Sequence, residues 1–236
     1  MKNTLSRRIL LAGMASTAAA RAVHATVDET PIAHGALANN ALAKHFEPSP
    51  QYALPDVLLM SPTGDQAISD VIKGRTVLMP LWAEWCTPCL SELPDFARLQ
   101  AKYGNANFAI IPVLTGAQKQ VTPQVLTQVF ADLHASVFTP FVEKRFGHRL
   151  FAMTSRYSGA SEIPCNLLID PNGRVVAREF GAVRSDDQQQ AATKAAAGGM
   201  DGVLSLAQAG DSLSLWGRQP GDEFAAAMAD GFMTKG

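Results

Sequence analysis

Trp85-Cys86-Thr87-Pro88-Cys89 is the stretch on which the reading of this 236-residue chain turns. Two cysteines separated by two residues are too close to staple distant elements, but well spaced to cycle between dithiol and disulfide. Upstream, Thr76-Val77-Leu78-Met79-Pro80-Leu81-Trp82 is apolar enough for a buried strand. Downstream, Leu90, Leu93, Ala97 and Tyr103 fall near one helical face, and Gly104 marks the stop. The pair therefore sits at a strand-to-helix junction. Unpaired backbone N–H groups and the positive end of the helix dipole stabilise a thiolate there, and a free thiol near pKa ~8.5 can fall to about 7. Cys86 is expected as the exposed nucleophile. Cys89, one turn into the helix and more buried, is expected to resolve the mixed disulfide. Thr87 and Pro88 tune that balance, because Pro88 offers no N–H to a sulfur and stiffens the turn. Trp85 either flanks the pair as an apolar contact surface or fills the core.

Outward from the motif, the first 25 residues read as an export signal. Lys2, Arg7 and Arg8 precede an apolar run from Ile9 to Ala20, and Val23-His24-Ala25 supplies a small-residue cleavage site, with cleavage expected after Ala25. Ser6-Arg7-Arg8-Ile9-Leu10-Leu11 is similar to a twin-arginine signal; a general secretory signal with adjacent arginines is the alternative. Without this segment the chain keeps 16 basic and 21 acidic residues, a net charge of −5. No basic cluster supports nucleic-acid binding. No stretch reaches the ~18–20 apolar residues that span a bilayer, so no stable membrane insertion is expected. An oxidising compartment favours structural disulfides, yet only three cysteines are present and two share one motif. The thiols read as chemical rather than architectural.

Residues 26–50 read as a linker or flexible arm, and 51–236 as the folded domain. Residues 52–60 read as a strand followed by a turn at 61–65, and Phe108 to Leu114 as a second buried strand. Thr122-Pro123 starts a helix carried by Val125, Leu126, Val129, Phe130 and Leu133. Residues 139–157 read as loop plus one short helix. Asn166–Ile169, the turn Asp170-Pro171-Asn172-Gly173 and Arg174–Phe180 form a hairpin. A polar helix is expected over 185–197 with Ser185 and Gln188 as a capping box, and a closing helix over Asp222 to Phe232. Strands alternating with helices indicate an α/β sheet with helices on both faces.

Trp82-Ala83-Glu84-Trp85-Cys86-x-Pro88-Cys89 resembles the active site of the thioredoxin-like superfamily. The export signal, the Leu-Pro-Asp run and Glu92-Leu93-Pro94 are similar to its exported TlpA/ResA/CcmG-like branch. The resemblance covers roughly residues 51–182 and the last helix. It implies a central mixed sheet with helices on both faces and an N-terminal strand extension; residues 183–214 have no counterpart in it and read as an inserted helix-and-loop excursion before the C-terminal helix. It further implies a periplasmic protein-disulfide reductase with no cofactor. Its substrates would be protein disulfides, in cytochrome maturation or copper-site assembly, and a membrane thiol donor would re-reduce it. Glu92 matches an acid that lies beneath the cysteines in part of this branch; a solvated helix residue is the other reading. Ile163-Pro164 matches the cis-proline loop, where Ile163 offers backbone to an added substrate strand. Cys165 follows that proline as a buried small residue or a third redox partner. Pro80 stands where a buried Asp or Asn often sits, and Pro112 interrupts the next strand.

The histidines form no ligand-spaced cluster, and no phosphate loop, Ser/His/Asp order or paired zinc motif is present. Two further readings differ from the leading one. A Cu(I) assembly chaperone would use Cys86, Cys89 and His148 or Met153, although Pro164 beside the sulfurs and the two-residue spacing speak against a metal there. A disulfide-forming oxidant would differ only in potential.

Overall fold

The computed structural model describes residue 32 and residues 34–144, 149–158, 162–209 and 211–234. The expected export signal and His148 lie outside them.

Every residue of β4 (Thr76–Trp82) is buried. Its alternation places Leu78 and Trp82 on one face of the sheet and Val77, Met79 and Leu81 on the other. β4 pairs antiparallel with β8 (Cys165–Ile169), which pairs antiparallel with β9 (Arg174–Phe180). The turn of that hairpin is tied by Asp170 Oδ1, which accepts from the N–H groups of Asn172 at 2.9 Å and Arg174 at 2.8 Å. Gly173 takes the left-handed φ of +79° that the reversal requires.

On the other side of β4, β5 (Phe108–Ile110) and β6 (Val113–Leu114) run parallel to it. The single strand expected over 108–114 is split at Ile111-Pro112. Registers Leu78↔Ile110 and Leu81↔Val113 share one offset, which sets Pro80 beside Pro112. Neither proline has an N–H to offer, so the ladder lapses once, where both are tolerated. Ile111 N–H to Leu78 O at 2.9 Å and Thr115 N–H to Trp82 O at 2.8 Å close it on either side. The sheet continues through β7 (Phe141–Glu143), β2 (Leu58–Ser61) and β3 (Gly64–Ala67), while β1 (Glu47–Ala53) adds to β9 at the opposite edge. The strand expected over 52–60 is thus two strands in different parts of the sheet, parted at residues 54–57. β7 falls within the segment expected as loop and helix.

Helices cover both faces. Against the Trp82 face lie α2 (Thr87–Tyr103), α3 (Pro123–Asp132) and α7 (Gln219–Ala229), through Leu90, Phe96, Leu126, Phe130 and Phe224. Against the Leu81 face lie α1 (Ile68–Ile72) and α4 (Arg149–Ser158), through Ile68, Val71, Leu150 and Met153. The closing helix starts three residues earlier than expected, with Pro220 in its first turn.

The arm expected over 26–50 is corrected where it is described. Leu37, Leu42 and Phe46 are fully buried, and Phe46 stacks on Phe224 at 5.1 Å and meets Trp216 edge-on at 6.1 Å. Asn40 Nδ2 donates to Pro220 O at 2.8 Å, and its Oδ1 accepts from Ala43 N–H at 2.9 Å. Widely spaced apolar residues among polar ones hide this packing from periodicity.

The insert is a pair of helices, α5 (Asp186–Ala196) and α6 (Gly199–Gln208), around a small core of Ala195, Val203 and Leu213. Gln188 Oε1 accepts from Ser185 N–H at 3.1 Å at the start of α5. Leu215 N–H to Val183 O at 2.8 Å closes its neck.

Phe46→Ala is expected to lower the unfolding free energy by about 3–5 kcal/mol in urea titrations. A linker residue would change it by no more than about 0.5 kcal/mol.

Candidate active site

β4 ends at Trp82, and after three intervening residues Cys86 is the N-cap (φ −87°, ψ 91°) of α2, with Pro88 in its first turn. Proline suits that place, where its missing N–H would have had no intrahelical partner. Cys86 Sγ accepts from Cys89 N–H at 3.3 Å, so a sulfur stands where a cap residue usually places an oxygen. Cys86 O accepts from Leu90 N–H at 3.1 Å and begins the helix ladder. The two sulfurs are joined as a disulfide with the Cα atoms 5.3 Å apart. Cys86 and Cys89 are each only 3% exposed. The expectation of an exposed Cys86 beside a buried Cys89 does not hold in this oxidised pair. The bond and the Cys89 N–H both draw the Cys86 sulfur inward.

Trp85 is 38% exposed and donates from Nε1 to Gly116 O at 3.0 Å. It stands on the rim, not in the core. Thr87 and Pro88 are half-buried, and Thr87 Oγ1 donates to Met200 Sδ at 3.1 Å, tying the motif to α6. A groove of about 490 Å³ runs beside the motif, between Thr87, Pro88 and Arg184 on one side and Ala192, Ala196 and Met200 on the other. The Ile163–Pro164 bond is cis. Pro164 is buried, its carbonyl accepts from Gly181 N–H at 2.9 Å, and Ile163 packs against the apolar clusters of both sheet faces.

Glu92 has no exposed surface and is not the solvated helix residue of the alternative reading. Burial raises its carboxyl well above the usual range, reinforced by repulsion from Glu179 and opposed by the positive charge of Arg184. Glu179 is fully buried too, and burial pushes it up to about 8 although Asn166 donates to it. Arg184 is half-buried, and burial lowers its pKa against the attraction of Glu92. Asp95, one turn beyond Glu92, accepts from Ser212 Oγ at 2.9 Å and Ser214 Oγ at 3.3 Å. Burial pushes it up to about 6 despite those hydroxyls. Asn166, Glu179, Asp95 and Arg184 were not singled out from sequence. The one available sign was a polar side chain, Asn166, inside the otherwise apolar β8; Glu179 sits beside Arg178 in β9 and carries no such signal.

Cys165 is buried among Leu81, Leu150 and Met153, on the face of the sheet away from Cys86 and Cys89. Burial pushes its thiol up. It is a small core residue and no partner for the redox pair. Met153 lies on the same far face, which removes it as a third ligand to the two cysteines.

Residues 50–197 match the family model described as the AhpC/TSA family. The chain belongs to the AhpC/TSA family. Its fold is thioredoxin-like. Among curated relatives, the thioredoxin-like protein YneN of Bacillus subtilis is 25% identical over 136 residues, covering 58% of this chain and 74% of that protein. The thiol-disulfide oxidoreductase ResA of Geobacillus thermodenitrificans is 28% identical over 136 residues, covering 58% and 72%. A solved structure, the exposed lipoprotein thioredoxin Etrx1 of Streptococcus pneumoniae, is 22% identical over 59% of this chain and 99% of that one, with a TM-score of 0.42.

Raised acids make this AhpC/TSA-family domain prefer protons. Its native form binds protons that the unfolded chain has already released between the ordinary carboxylate range and about 6 for Asp95 or about 8 for Glu179. Stability should therefore fall as pH rises through that window. Asp95 alone would contribute up to roughly 3 kcal/mol. Urea midpoints are expected to be higher at pH 5.5 than at pH 8.5, with a smaller difference in Asp95→Asn.

Proposed function

We propose that this chain is an exported thiol–disulfide oxidoreductase that reduces specific protein disulfides. The observation that carries the reading is the Cys86–Cys89 disulfide at the first turn of α2, with Cys89 N–H already directed at the Cys86 sulfur. In the reduced protein that N–H and the helix terminus favour a Cys86 thiolate. Cys86 attacks one sulfur of a client disulfide and forms a mixed disulfide. Cys89 then attacks Cys86, closes the internal bond and releases the client as a dithiol.

The client chain adds beside Ile163 as an extra strand, with Trp85 as an apolar rim. Thr87 and Pro88 set how readily the pair is oxidised. A thiol donor at the membrane re-reduces the pair, and no cofactor is needed for either half-reaction. Among the described residues, no helix is long and apolar enough to cross a membrane. Export rests on the sequence of the first 25 residues. Assembly of cytochromes or of a copper site would supply clients of the required kind, proteins with paired thiols that must be kept reduced.

A redox titration of Cys86/Cys89 tests the direction of exchange. A potential near or below about −250 mV is expected, on the side of thioredoxin at about −270 mV; one above about −150 mV, toward a strong oxidant at about −120 mV, would reverse the assignment. Cys86→Ser should abolish insulin reduction, whereas Cys89→Ser should accumulate mixed disulfides with client proteins.

A further inference from the structure

The groove of about 490 Å³ beside the motif starts at the reactive turn, because Thr87 and Pro88, which line it, are the two residues between the sulfurs. Its far bank belongs to the insert. Ala192 and Ala196 stand one turn apart on α5, and Gly199 and Met200 open α6. Side chains this small leave room for a second chain to come close. Thr87 Oγ1 donates to Met200 Sδ at 3.1 Å, so the bank is fastened to the motif.

The groove carries charge at one place. Arg184 lines it, and no carboxylate and no second cation does so among the described residues. Arg184 is half-buried, and its Nε is shut away from solvent with no hydrogen-bond partner among the described residues. Leaving such a donor open is costly. Glu92 acts on it through space, but burial lets that carboxyl hold its proton well past the usual range, so it offsets the guanidinium less than an ordinary Glu would. Other nearby acids are engaged elsewhere: Asp187 pairs with Arg218 at 2.6 Å, and Asp95 accepts from Ser212 and Ser214. A guanidinium with open N–H groups suits a carboxylate, which it can hold through two parallel bonds.

The position of Arg184 in the chain ties it to the path of a client. Gly181 N–H donates to Pro164 O at 2.9 Å, and Arg184 follows three residues later. Three residues of extended chain span about 10 Å. A client strand laid beside Ile163 with its cysteine at Cys86 therefore meets the guanidinium roughly three residues from that cysteine.

We infer that this groove is a recognition subsite for client segments bearing an Asp or Glu about three residues from the disulfide cysteine. Arg184 holds the carboxylate, and Ala192, Ala196 and Met200 receive the stretch between. The inference deepens the exchange reading of Cys86 and Cys89 and rests on it. No bond is made or broken at the subsite. It selects which client disulfide is presented to Cys86.

The test mixes the reduced full chain with otherwise identical disulfide peptides that carry Asp, Ala or Lys three residues from the cysteine, on either flank. Hydroxyethyl disulfide, uncharged and too small to reach from the sulfurs to the insert, is the reference. Dividing each rate by the reference rate removes any effect of Arg184 on Glu92 or on the thiols. Wild type should react about tenfold faster with the better Asp peptide than with the Ala peptide, and slowest with Lys. Added salt should shrink that preference. Arg184→Glu should invert the order, so that the Lys peptide reacts fastest. Should Arg184→Glu not fold, Ala196→Glu sets a carboxylate on the exposed far bank and should erase the preference for Asp. Equal corrected rates for the three peptides, or a preference for Asp that survives these substitutions, would overturn the subsite alone. Sedimentation showing a wild-type dimer that Ala196→Glu dissociates would assign the groove to a second copy and overturn it too. A wild-type protein that reduces neither the peptides nor hydroxyethyl disulfide would overturn the exchange reading itself.

Discussion

A sulfur atom caps α2, and the chemistry of this protein hangs on that substitution for oxygen. Cys86 must occupy the last non-helical position, so that its side chain meets the N–H of Cys89, while Cys89 is already committed to the helix. β4 secures this placement. Its seven buried residues fix where the strand ends, and the cross-strand partners of Leu81 and Trp82 fix its height. α2 is held against the rest of the molecule by Phe96, 5.0 Å from Trp216, and by Tyr103, Lys102 and Arg98 converging on Asp222. The exposed ion pairs add little to stability by themselves. Buried aromatic packing does more, and it makes the cap a fixed object that a client disulfide must come to.

The interior beneath the cap holds several buried carboxyl groups. Glu92, Glu179 and Asp95 all lie under or along α2, with a single half-buried cation, Arg184, acting on Glu92. Replacing such groups by apolar residues would relieve desolvation. In the same region two prolines, Pro80 and Pro112, face each other across a parallel ladder.

Much of this was legible in the sequence because it is local. The motif, the long α2 pattern, the hairpin with Asp170 and Gly173, and the helix started by Thr122-Pro123 all depend on residues near one another in the chain. The site residues Cys86, Cys89 and Pro164 follow from spacing and resemblance. What escaped was set by distant pairing. Asn166 and Glu179 become neighbours of Glu92 only through strand register. The three-residue β7 carries too few positions to show alternation. Residues 35–50, polar on average, pack because Leu37, Leu42 and Phe46 find a surface made by α7 and Trp216, more than 160 positions later. The two prolines were readable as an irregularity, but not as one that cancels in a shared gap.

The neck of the insert, where Leu215 meets Val183, has a consequence of another kind. Because entry and exit lie one hydrogen bond apart, the sheet experiences the excursion as a closed loop whose length adds only slowly to its entropic cost. The free part of the excursion is the side away from α2, because Met200 and Leu204 of α6 pack against the main core, while changes at Ala192 and Ala196 alter the bank of the groove beside Thr87 and Pro88. In this architecture the outer bank of the groove can vary through residues that the sheet does not use, without rebuilding the turn that holds the two sulfurs.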